Sequence, residues 1–126
     1  MVWKKILIVI PLVLGLAACG TPTQRHVKRG HSYLNSGNLT KAESEFRKAN
    51  LQDPNNADAY FGLGYVLFRQ DKLDEAVEEY HKGMALDPDD PDSHYYLGLI
   101  YNEKNMQNEA REELKLYDRL KRTGRR

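Results

Sequence analysis

The chain has 126 residues, 19 basic and 18 acidic, for a formal net charge of +1, and one cysteine. That length fits a single domain. The near-balance of charge supplies no field for nucleic acid, and a lone thiol excludes an internal disulfide.

Two basic residues, Lys4 and Lys5, precede an uncharged run from Ile6 to Ala18 that Pro11 and Gly15 interrupt. A membrane span needs about twenty apolar residues, so the run is too short to be one. A basic start, a short apolar stretch and small residues at its end describe a secretory signal over residues 1–18. The run closes on Leu16-Ala17-Ala18-Cys19, which resembles the lipobox of bacterial lipoproteins. The resemblance implies cleavage before Cys19, a diacylglyceryl thioether on its sulfur and acylation of its amine. More than one acyl chain is what holds a protein stably to a bilayer.

Removing Lys4 and Lys5 leaves 17 basic against 18 acidic residues, a net charge of −1. Gly20, not the aspartate that retains such lipoproteins at the inner membrane, follows the cysteine. The resemblance therefore implies the bacterial cell envelope, at the outer membrane facing the periplasm in a two-membrane host. Residues 19–22 form the anchor and linker, and Gly20-Thr21-Pro22-Thr23 reaches at most ~14 Å.

Beyond the linker the sequence repeats. Gly30, Gly64 and Gly98 are 34 residues apart, as are Ala42, Ala76 and Ala110. Tyr33, Leu67 and Tyr101 keep the same register, as do Phe46, Tyr80 and Leu114, and Pro54 with Pro88. Each unit reads as two helices. Gly37-Asn38, Asp71-Lys72 and Asn105-Met106 form the turns, and Thr40, Asp74 and Asn108 are the expected N-caps, Thr40 with Glu43 making a capping box. Asp53-Pro54-Asn55-Asn56 and Asp87-Pro88-Asp89-Asp90-Pro91 separate the units, with Pro91 suited to a first helical position. A helix-interior glycine costs about 1 kcal/mol against alanine, so the glycine column implies a close approach of paired helices.

These columns resemble tetratricopeptide repeats, covering 23–56, 57–90 and 91–124 within a domain at 23–124. The second unit carries the pattern most fully, in Tyr60, Leu63-Gly64, Leu67, Ala76, Tyr80 and Pro88. The first departs at His26 and Arg29, and the third has Arg122 in place of the closing proline. The resemblance implies an all-α fold of three tandem helix–turn–helix repeats in a short right-handed superhelix. The last helix, expected near 108–121, is charged enough to cap the array, and leaves Leu116 and Leu120 as a strip for weak self-association.

No catalytic constellation accompanies this framework. His26 and His31 are five apart, ~140° around a helix, and none of His26, His31, His81 and His94 forms an i, i+4 ligand pair. Gly62-Leu63-Gly64 falls inside an expected helix without the lysine of a phosphate loop. Glu78-Glu79 and Glu112-Glu113 read as solvated surface. No enzyme activity, cofactor or metal is expected.

Residues 57–70, ADAYFGLGYVLFRQ, are apolar on more than one face. Tyr60, Leu63, Gly64 and Leu67 pack within the repeat, which leaves Phe61, Tyr65 and Phe68 to find another partner. In tetratricopeptide proteins this stripe lines a concave, peptide-holding surface. Carried over, the groove comprises Val27, His31, Leu34, Asn35, Phe61, Tyr65, Phe68, Arg69, Tyr95, Tyr96, Leu99, Asn102 and Glu103, with Phe61 and Tyr95 partly packed between repeats. The carboxylate clamp of some family members is not matched, since its places hold Val27, His31, Gly62, Asp92 and Tyr96. The groove is thus expected to be aromatic and neutral.

The reading is a lipid-anchored scaffold or assembly factor for an envelope protein or peptide. Its architecture is similar to the type IV pilus pilotins, which implies a role in pilus or secretion-system assembly. The rival is a structural envelope lipoprotein that self-associates without a peptide ligand.

Overall fold

A computed structural model describes residues 20–124. The expected signal peptide and Cys19 lie outside the described residues. Six helices follow in order: α1 (Pro22–Asn35), α2 (Leu39–Gln52), α3 (Ala57–Arg69), α4 (Leu73–Leu86), α5 (Pro91–Glu103) and α6 (Gln107–Thr123). They pair as α1–α2, α3–α4 and α5–α6, and the first helices α1, α3 and α5 also pack side by side. The described chain is all-α, three helical hairpins in tandem, as the 34-residue period requires.

The turns inside the hairpins share one mechanism. Gly37, Asp71 and Asn105, themselves 34 apart, take left-handed φ values of 75°, 62° and 59°. Glycine and short polar residues tolerate that conformation best. The next amide then bonds back to the preceding helix: Asn38 to the Tyr33 carbonyl, Lys72 to Leu67 and Met106 to Tyr101, at 2.8, 2.9 and 2.8 Å. This is the Schellman closure. It lets the second helix start at once, so the N-caps are Asn38, Lys72 and Met106 rather than the expected Thr40, Asp74 and Asn108. Only Asn38 caps with its side chain, accepting from the Lys41 amide. Thr40 lies inside α2 and makes no capping box with Glu43, which bonds to Arg47 and Gln70 instead.

A capping box does exist, at the start of α1. Thr21 accepts from the Gln24 amide at 3.2 Å, and Gln24 accepts from the Thr21 amide at 3.0 Å. With Pro22 already helical, Gly20 alone lies between Cys19 and the cap, a shorter tether than the expected linker. At the unit boundaries Asn56 caps α3 and Asp90 caps α5, ahead of Pro91 as expected.

The glycine column is explained by the bulky column sixteen residues on. A Cβ on Gly30 would stand 2.7 Å from the Phe46 ring, one on Gly64 3.0 Å from Tyr80, and one on Gly98 2.8 Å from Leu114. Each second helix thus seats a large side chain directly on the backbone of its first helix. Phe46, Leu63, Val66, Leu67, Tyr80, Leu97 and Ile100 are the large side chains of one continuous core. Burying each such group contributes about 1.5–3 kcal/mol.

Two further columns hold side-chain hydrogen bonds. His26 meets Glu45 at 2.6 Å, and His94, in the same place of the third unit, meets Glu113 at 2.7 Å. The middle unit has Tyr60 there, and its Glu79 pairs with Lys82 at 2.9 Å. Glu79 and Glu113 are therefore engaged side chains, not the solvated surface expected of them. Their neighbours Glu78 and Glu112 are the exposed ones.

Candidate peptide-binding groove

The first helices together wall a concavity of about 490 Å³. From the expected set it collects His31, Leu34 and Asn35 of α1, Phe61, Tyr65 and Arg69 of α3, and Tyr96 of α5. Residues four apart share a helical face, so Phe61, Tyr65 and Arg69 follow one another along α3.

The wall of the groove is a ladder of rings. Tyr65 meets Tyr96 edge-on, with centroids 5.0 Å apart. Tyr96 stacks at 6.1 Å on Tyr80, which stacks at 6.4 Å on Phe61. Offset and edge-on geometries of this kind contribute about 0.5–1.5 kcal/mol per pair beyond area burial. At the edge, Arg69 lies over the Tyr65 ring at 5.8 Å and donates to its hydroxyl at 3.1 Å.

Phe61 is partly structural, as expected, but it packs against α4 of its own repeat rather than between repeats. Its ring covers Gly83 of α4, where a Cβ would stand 2.3 Å away. Tyr96 is more deeply committed to packing than the sequence implied, because Tyr65, Phe68, Tyr80 and Tyr95 all contact it.

The remaining expected residues fall outside the concavity. Phe68 turns against Tyr96 at 6.1 Å, and Tyr95 leans on Tyr117 of α6 at 5.2 Å. Val27 packs on the core. Leu99 is half-buried off the groove, while Asn102 and Glu103 are exposed at the end of α5, beyond its lining.

The structure adds Asp58, Gly62, Tyr80, Asp90, Asp92 and Ser93 to the lining. Neutrality is therefore corrected: carboxylates of Asp58, Asp90 and Asp92 line one edge. Asp58 and Asp92 are one repeat apart and both stand at the second position of a first helix, a periodic signal present in the sequence. Tyr80 was hidden because its column packs within a repeat, and in this unit alone that bulky side chain also reaches the groove.

Tyr80 is 1% exposed, and its hydroxyl has no hydrogen-bond partner among the described residues. Burial, reinforced by Tyr96, Tyr65, Asp90 and Asp92, pushes the phenol far above the ordinary tyrosine range. Burial also raises Tyr96. Among the described residues no cluster of His, Cys, Asp or Glu could hold a metal ion, and no helix is long and apolar enough to cross a membrane.

Helical hairpins repeating every 34 residues, with a groove along their first helices, define a protein-interaction scaffold rather than an enzyme. The chain belongs to the tetratricopeptide repeat family, whose models match residues 27–91 and 80–112. No curated protein sequence matches it. Among solved structures, MamA is 26% identical with a TM-score of 0.76, over 82% of this chain and 61% of that one. The CopN–Scc3 complex matches at 24% identity and a TM-score of 0.70, over 75% of this chain and 56% of that one. The Yersinia enterocolitica type III secretion chaperone SycD, in complex with a peptide of the translocator YopD, matches at 21% and 0.74, over 77% and 74%. The chain thus spans about three-fifths of the length of MamA.

Proposed function

We propose that this protein is a lipid-anchored scaffold of the bacterial envelope that holds a peptide segment of an exported or membrane protein in the groove between α1, α3 and α5. The observation that carries the reading is the groove itself: an aromatic wall from two repeats, edged by Asn35 and Arg69, which can hydrogen-bond a peptide backbone. The SycD structure, of the same fold, contains a translocator peptide, which supports a peptide as the occupant. The lipobox supports the anchor, and the single residue between Cys19 and the α1 cap would keep the groove near the bilayer. A partner emerging from or entering that bilayer, such as a pilus or secretion-system subunit, suits this placement at the outer membrane facing the periplasm.

Two experiments test the two halves. Cys19→Ser should abolish metabolic labelling by a palmitate analogue and leave unprocessed precursor; label retained in the variant would remove the anchor. Asn35→Ala with Arg69→Ala, both exposed, should weaken partner capture from envelope extract about tenfold, equivalent to about 1.4 kcal/mol. Undiminished capture would remove the groove.

A further inference from the structure

The groove is chemically one-sided. Asp58 at the second position of α3, Asp90 at the cap of α5 and Asp92 at its second position form one edge. Asp90 is occupied with the Ser93 amide and hydroxyl. Asp92 has only a distant contact, 3.8 Å from Lys121, and Asp58 stands in no ion pair among the described residues. Arg69 sits at the far end of α3, already stacked on Tyr65.

Carboxylates at helix starts complement the helix dipole, and by themselves they mark no site. A second feature does. The Tyr80 hydroxyl is a buried donor without an acceptor among the described residues, on a side chain that lines this same concavity. Leaving such a group unpaired is costly, and no described side chain relieves it. Its aromatic neighbours Tyr65 and Tyr96 line the same concavity as the acidic edge. A lysine or arginine stem can lie along aromatic faces while its head remains with carboxylates.

We propose that the groove selects a partner segment carrying a lysine or arginine: the cationic head sits between Asp58 and Asp92, the stem lies on Tyr65 and Tyr96, and a backbone carbonyl accepts from Tyr80. This rests on the peptide-binding reading above and specifies its ligand.

The test uses the full chain in detergent micelles and an array of short peptides. Their central residue is lysine, arginine, glutamate or methionine in matched aromatic–aliphatic surroundings, and residues 117–126 of this chain are included. Lysine and arginine members should be retained about tenfold more strongly than glutamate members, less so at high salt. Asp58→Asn with Asp92→Asn should erase that preference, with methionine members still retained and the helical fold still intact by circular dichroism. Tyr80→Phe should lower retention of all members and preserve the cation preference; unchanged retention would overturn the role given to the hydroxyl. Retention without a cation preference, or a preference that survives the double variant, would overturn the proposal and leave peptide binding intact. If no peptide of any kind is retained, the peptide-binding reading fails too. If only residues 117–126 are retained, the occupant is a second copy of this chain and the proposal of a foreign segment is wrong.

Discussion

The Phe46 ring occupies the space where a Cβ on Gly62 would stand, 2.3 Å from its Cε1. Gly30 of α1 closes over the same ring, so the ring cannot retreat. Gly62→Ala should therefore destabilise the domain by about 1–3 kcal/mol through overpacking, although alanine ordinarily gains about 1 kcal/mol over glycine in a helix. Gly64→Ala, with 3.0 Å to the Tyr80 ring, should cost less. Thermal melts of both variants check the order, and a stabilised Gly62→Ala would refute the packing account.

Ala76 is fully buried in the column where the paired helices meet. Ala76→Leu should cost about 1–3 kcal/mol or more by the same overpacking. A variant that melts with the wild type would show that the second hairpin has slack there.

The repeat period makes the fold readable in the sequence, because columns at 34 residues report contacts that every unit must make. Gly30, Gly64 and Gly98 were recognisable as a close approach, and their partners Phe46, Tyr80 and Leu114 were visible as a column. Helix starts were less legible. Thr40, Asp74 and Asn108 are good caps by residue type, but the left-handed Gly37, Asp71 and Asn105 end each first helix abruptly and move the start two residues earlier. The groove was legible along α3 at Phe61, Tyr65 and Arg69, where four-residue spacing fixes the face, but not at Phe68, which turns against Tyr96. On α5 Tyr95 leans on Tyr117, in keeping with the partly structural role expected of it, and Tyr96 reaches inward, but Leu99, Asn102 and Glu103 do not line the concavity. The acidic edge was missed because Asp58 and Asp92 look like ordinary helix-start residues when each is taken alone.

Tyr80→Phe removes a buried hydroxyl that has no partner among the described residues. Stability should be unchanged or higher, since an unpaired buried polar group costs about 1–3 kcal/mol. A clear fall in melting temperature would mean that the folded protein satisfies the hydroxyl after all.

Glu45 is held below the ordinary carboxylate range, chiefly by its hydrogen bond with His26 and further by Lys48, against the opposing effect of burial. A carboxylate with a lowered folded value adds stability above its unfolded value, near 4.5, and loses it as the pH falls through the folded value. Acid unfolding of the wild type should accordingly steepen below about pH 4.5. Glu45→Gln should be less stable than the wild type at neutral pH and should converge with it in acid. A constant gap between the two at every pH would exclude this carboxylate as a source of the acid response.

The central claim is that the face between α1, α3 and α5 holds a partner. Tyr96 cannot decide it, because its removal would also loosen the ring ladder. A photo-crosslinking residue at Asn35, exposed on the groove edge, and another at Leu51, 83% exposed on α2 and away from the groove, decide it directly in cells of the native host. The groove position should yield a discrete heavier adduct that Asp58→Asn with Asp92→Asn diminishes, and Leu51 should yield none. Equal adducts at both positions, or an adduct from Leu51 alone, would contradict the account.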